Sequence, residues 1–167
     1  MKIFFCLLLF GCGKIYPCDG SIVIVHPDSK IEEVGHDVFR EGLHVWDEYG
    51  CKFRAKDELT DFELSRNSGP VLDVNGIDGR INGNDIGVYW TTGYIDIDLY
   101  LFQDTNAAIH TIAHEVGHSM GLDHVPLDRG VAIMNPAIDP NVLKPTVFDY
   151  DEWCRLWCMH QTDVGGK

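Results

Sequence analysis

Residues 21–27 read SIVIVHP, a β-branched run closed by a proline, and predict a buried first strand. Ser29 and Glu32 stand at the spacing of a capping box, after which Ile31, Val34, Val38, Trp46 and Tyr49 follow a helical period as far as Gly50. CKFRA, residues 51–55, is a candidate second strand. Residues 65–85, rich in Gly, Asn and Asp, predict a long surface loop interrupted by at most a brief strand. Residues 86–102 then read as a hairpin turning near Thr92 and Gly93, with Ile95, Ile97, Leu99 and Leu101 alternating against Asp96, Asp98 and Tyr100. A histidine-rich helix follows, then an irregular stretch over 125–145. A last helix opens at Asp149 and Glu152 and carries a stripe of Tyr150, Trp153 and Trp157. Strands and helices without repeats, linkers or low-complexity segments place the chain in the α+β class.

The length of 167 residues suits one core, and 45% apolar residues is an ordinary globular composition. Two parts are expected, an export segment with a short tail over 1–20 and a folded domain over 21–167, acting as a monomer. The formal charge is -13, with 26 acidic and 13 basic residues, and no basic cluster interrupts it. Such a surface repels a phosphate backbone, so nucleic acid is not an expected partner.

The apolar run Ile3 to Phe10 behind a single Lys is far shorter than the roughly 20 residues that span a bilayer, and reads as an export signal. Leu9-Phe10-Gly11-Cys12 resembles the lipobox of bacterial lipoproteins, which implies a lipid anchor at Cys12; an ordinary cleaved signal and a retained segment are the alternatives. The expected location is secreted or at the cell surface. Cys6 and Cys12 belong to that segment, which leaves Cys18, Cys51, Cys154 and Cys158. An even remainder in an exported chain suggests two disulfides, with three connectivities open; free buried thiols and a second metal site are the competing readings. Cys154 and Cys158 lie four apart on a helix, and each would reach Cys18 or Cys51 more readily than the other.

Half of the chain's eight histidines fall within HTIAHEVGHSMGLDH, residues 110–124. On a helix His114 and His118 project from one face a turn apart, the separation at which two imidazoles grip one ion. If that helix continued, His124 would sit roughly 120° away and about 9 Å further along the axis. Gly121 tolerates the left-handed conformation that ends a helix, and so lets the chain return His124 to the same ion. Three neutral imidazoles and an open position describe a catalytic zinc site. Glu115, beside the first ligand, is placed as general base. Zinc lowers the pKa of a water in the open position towards about 7, Glu115 takes its proton as the water attacks a carbonyl, and the carboxyl returns it to the departing amine. The pattern H-E-x-x-H-x-x-G-x-x-H arises by chance in about one chain in ten thousand of this length. His110 lies about 12 Å along the axis from His118, too far to share an ion, and is read as packed or solvent-facing, with substrate contact as the alternative.

With the third histidine in place the sequence resembles the metzincin metalloendopeptidases, whose extended motif is followed by a methionine turn. Ala132-Ile133-Met134-Asn135-Pro136, with the methionine ten residues after His124, matches that turn and is similar to the matrixin branch. The resemblance implies a twisted mixed five-stranded sheet with an antiparallel edge strand, a backing helix, an active-site helix and a C-terminal helix. It also implies that Met134 is an apolar floor under the zinc and not a ligand. Ile86 and Val88, on the edge arm 86–91, would meet an extended peptide by strand addition, and Pro136 and Ile138 would line the pocket for the side chain after the cut bond. Val125 stands where matrixins usually carry Ser or Thr, and no histidine lies between Pro70 and Asp85, so the structural zinc of that branch is not expected. Asp73, Asn75, Asp78 and Asp85 are candidate calcium ligands, against the simpler reading of a polar turn.

The expected activity is therefore that of a zinc-dependent endopeptidase acting on flexible protein or peptide substrates. A zinc-dependent protein that holds peptides without cutting them, and a surface interaction protein with purely structural zinc, are the competing classes.

Overall fold

A computed structural model describes residues 22–67, 69–78, 87–90 and 93–157. The β-branched run forms β1 (Ile22–Pro27), with Val23 and Val25 buried. The first helix, α1 (Ser29–His44), starts from Asp28 and not from a Ser29–Glu32 box: the Asp28 carboxylate accepts from the backbone N–H of Lys30 (3.1 Å) and Ile31 (3.0 Å). A carboxylate one residue earlier reaches the free N–H groups of the first turn directly. The buried stripe of α1 is Ile31, Phe39 and Leu43, whereas Val34 is exposed. The helix stops at His44, and a short 3-10 turn (Asp47–Tyr49) leads to Gly50.

Next come β2 (Lys52–Ala55) and a short α2 (Asp61–Arg66), which pattern reading did not expect. Thr60 and Glu63 cap α2 reciprocally. The larger correction is β3 (Val71–Ile77), inside the segment expected to be loop. It lies at the centre of the sheet, whose order is β2-β1-β3-β5-β4. Leu72, Val74 and Gly76 face inward while Asp73 faces solvent, so the polar residues are one face of a strand.

The hairpin is β4 (Gly87–Trp90) and β5 (Tyr94–Asp98), the one antiparallel pair; β1–β2, β1–β3 and β3–β5 are parallel. The alternation expected to run to Leu101 ends at Asp98. That carboxylate is buried and accepts from the Tyr100 N–H (3.0 Å), turning the chain into a 3-10 segment (Leu99–Gln103). Helix α3 (Thr105–Ser119) is capped by Asp104, and α4 (Val147–Trp157) closes the described chain. Helix α1 packs on β2, β3 and α3, and α3 in turn packs on β4 and β5. The result is an α+β fold whose core lies between a mixed five-stranded sheet and these helices.

Cys51 and Cys154 are both disulfide-bonded. Cys6, Cys12, Cys18 and Cys158, with the whole expected export segment, lie outside the described residues. Among the described residues no helix is long and apolar enough to cross a membrane.

Candidate metal centre

Helix α3 is fixed from beneath before it presents any chemistry. The buried Trp46 indole donates to the carbonyl of Ala113 (2.8 Å), immediately before His114. One turn later Gly117 leaves room for Met134: a Cβ there would stand 2.3 Å from the methionine sulfur. Met134 is fully buried, so the side chain read as a floor lies against the helix that carries the histidines.

The helix ends as its glycine demands. Gly121 has φ of 89°, its N–H bonds the carbonyl of His118 (2.9 Å), and the Leu122 N–H bonds that of Gly117 (3.1 Å). These backbone bonds satisfy the last turn and reverse the chain, which brings His124 back to the helix. His124 Nε2 lies 3.2 Å from His114 Nε2 and 3.1 Å from His118 Nε2.

The tautomers follow from the other ring nitrogens. His114 Nδ1 lies 2.8 Å from the carbonyl of Ile133, and His118 Nδ1 lies 2.9 Å from that of Leu122. A carbonyl only accepts, so each Nδ1 carries the hydrogen and each neutral Nε2 carries a lone pair. A proton on His124 Nε2 could serve only one of the two lone pairs it faces; a cation serves all three nitrogens. Tetrahedral ligands at about 2.0–2.1 Å from zinc stand about 3.3 Å from one another, close to the separations seen here. The donor set therefore fits a metal ion. Burial, with His118 as the next cause, drives the His114 pKa down to about 3, and burial also lowers that of His118. Both rings stay neutral at ordinary pH, as ligands must.

Glu115 is buried, and that burial pushes its carboxyl up to about 7 against a backbone hydrogen bond from Tyr89 that pulls it down. It shares a cavity of about 290 Å³ with the three histidines, and Val88, Pro136 and Ile138 lie on the same walls. Ile86 lies outside the described residues. Among the described residues, His114, His118 and His124 are the one group placed to hold a metal ion. Among the described residues the calcium candidates form no such group: Asn75 donates to Asp96 (3.0 Å) and Asp78 pairs with Lys30 (3.1 Å), while Asp85 lies outside the described residues.

No protein-family model matches the chain, and a search of curated proteins finds no significant relative. The reading of the site thus rests on its geometry.

Two supporting residues escaped pattern reading. Asp149, expected only to open α4, is buried beneath the centre. Its Oδ1 accepts from the N–H of Met134 and its Oδ2 from that of Ile133 (both 2.9 Å), and Oδ2 also accepts from the N–H of Thr146 (2.8 Å). Asn135 accepts from the Ala132 N–H (2.8 Å) and donates to the carbonyls of Val125 (2.9 Å) and Gly130 (3.1 Å). The turn at Met134 is thereby tied both to α4 and to the strand of chain leaving His124. The signal for Asp149 was an acidic residue within a first helical turn, which a simple cap explains equally well.

Proposed function

We propose that this chain is a zinc-dependent endopeptidase of the metzincin type. The observation that carries the reading is the convergence of three imidazole Nε2 atoms, two of them oriented by backbone carbonyls, in one cavity with a buried carboxyl. A zinc ion held by His114, His118 and His124 would supply a Lewis acid that acidifies water and polarises a carbonyl.

The protein's own share is proton handling and alignment. Burial raises the Glu115 carboxyl to about 7 in the metal-free protein, and a zinc ion beside it would draw that value back down, which suits Glu115 as a carboxylate base towards water on the metal and then as the acid that returns the proton. The edge strand β4 borders the same cavity through Gly87 and Val88, and an extended peptide adding to it would lie across the centre. The substrate on this reading is a flexible segment of protein. Mixed-sheet architecture, the edge position of β4 and a fully buried Met134 support the metzincin assignment; two disulfide-bonded cysteines support an exported enzyme.

The test is incubation of the purified protein with a mixed peptide library, with and without a zinc chelator, beside Glu115→Ala. Internal cleavage that disappears with chelator and falls by at least about a hundredfold in the variant is expected. Intact peptides despite a bound zinc ion would sink the reading in favour of a protein that holds peptides without cutting them.

A further inference from the structure

We propose that Glu152, together with Arg155, is a positioning residue for the third metal ligand: the pair holds the chain at Asp123 and so sets where His124 stands. This rests on the metal-centre part of the proposed function, not on cleavage, and deepens it by naming what places the one ligand that lies off the helix.

Three histidines of α3 have Nδ1 against a backbone carbonyl: His110 on Val142 (2.9 Å), His114 on Ile133 (2.8 Å) and His118 on Leu122 (2.9 Å). His124 differs. It lies past the end of the helix, it is exposed, and among the described residues no carbonyl orients its Nδ1. The ring is therefore placed by the backbone on either side of it. After it, Val125 donates to the Met134 carbonyl (2.8 Å) and accepts from the Asn135 amide (2.9 Å). Before it, the Leu122 N–H bonds the carbonyl of Gly117 (3.1 Å). Between Leu122 and the ligand stands Asp123.

Asp123 is met by α4. Its carboxylate lies 3.7 Å from the Arg155 guanidinium, and its backbone N–H faces the carboxylate of Glu152. Arg155 also donates to Glu152 through Nε (3.0 Å) and through Nη2. These contacts, Arg155 first and the Asp123 N–H after it, hold the Glu152 carboxyl below its ordinary value, so it is charged at neutral pH. An acid and a base three residues apart on a helix are an ordinary surface pair and need no burial. Here the arginine is half exposed, but Glu152 is only 8% exposed. A carboxylate withdrawn from water needs more than one partner, and the chain around His124 supplies the others: the Asp123 N–H, and Arg129 from the loop that follows the ligand. The exposed Arg155–Asp123 pair is screened and weak, whereas removing the buried carboxylate strips both the guanidinium and the N–H at once. Glu152 therefore carries most of the effect.

Zinc affinity of the full chain, measured by competition with a chromophoric chelator, tests this as a double-mutant cycle. Glu152→Ala should weaken zinc binding by about tenfold, the lower end of what an orienting partner contributes, and Arg155→Ala by no more than about threefold. In protein that already carries His124→Ala, adding Glu152→Ala should change the affinity by less than about twofold, because the residue through which Glu152 acts is gone. A loss that stays at tenfold in that background makes Glu152 a support of the fold alone and overturns the proposal. Undiminished affinity in Glu152→Ala overturns it too.

Should Glu152→Ala fail to fold, Glu152→Gln, of the same size and without the charge, takes its place in both backgrounds. A wild-type protein that binds no zinc ends the metal-centre reading and this proposal together. Cleavage plays no part in the measurement. If the cycle behaves as expected in a protein that cuts no peptide, Glu152 keeps its role and the endopeptidase reading alone is lost.

Discussion

Among the described residues, two hollows of similar size hold histidine and carboxylate side chains. One, of about 290 Å³, contains His114, His118, His124 and Glu115; the other, of about 330 Å³, is lined by His26, Asp28, Asp73 and Asn75. In the second, the polar groups are exposed or spent on one another. His26 lies 3.5 Å from Asp73 with both side chains well exposed (40% and 65%), Asn75 is bonded to Asp96, and Asp28 caps α1. In the first, backbone carbonyls hold two rings by their far nitrogens and turn the near ones inward. What separates a candidate metal centre from a polar crevice is therefore the orientation imposed from behind each side chain.

The sharpest way to break this comparison is to remove one imidazole from each hollow. His118→Ala should weaken zinc binding by more than about a hundredfold, beyond what the loss of a supporting group costs, while His26→Ala leaves it unchanged in equilibrium dialysis. Equal loss in both variants, or in neither, would dissolve the distinction.

A carboxylate that holds backbone N–H groups supports each region, Asp149 beneath the first hollow and Asp28 on the wall of the second. Asp149→Ala strips the N–H groups of Ile133, Met134 and Thr146 in the interior and should lower unfolding free energy by about 3 kcal/mol in chemical denaturation. Asp28→Ala loses an exposed helix cap and should cost about 1 kcal/mol.

The two hollows also differ in pH dependence. In the folded, chelator-treated protein Glu115 keeps its proton up to about 7, whereas the unfolded chain releases it near 4.5. Between those values the folded state binds more protons, so this group costs stability as pH rises and the cost is complete above 7. Glu115→Gln should therefore stabilise the metal-free protein by about 2 kcal/mol at pH 8 and leave it unchanged near pH 4, as denaturation at the two values would show. Asp73→Asn, on the exposed side chain of the other hollow, should stay within about 0.5 kcal/mol at both.

The same contrast explains how much could be read from the residues alone. The proximity of His114, His118 and His124 is legible because helical rise, a four-residue spacing and one glycine determine it locally. The hairpin 87–98 is legible because alternation and a turn are local too. The strand Val71–Ile77 was not, because its Asp and Asn side chains occupy the solvent face of a central strand and composition cannot distinguish that from a loop. Asp149 and Asn135 escaped for a related reason. Their partners are backbone groups brought near by the tertiary fold, and no sequence period marks an N–H waiting for an acceptor.

The bonds made by Asp149 also set an order of assembly. The Ile133 carbonyl that orients His114 and the Ile133 and Met134 N–H groups held by Asp149 belong to one short turn, so three separated stretches of chain meet at that point. During synthesis the histidines emerge first, the turn next and the α4 carboxylate last. Until α4 docks, the turn lacks its anchor, and a ring that depends on it cannot hold a fixed direction. A site wired in this way takes its final shape only as the last described helix settles.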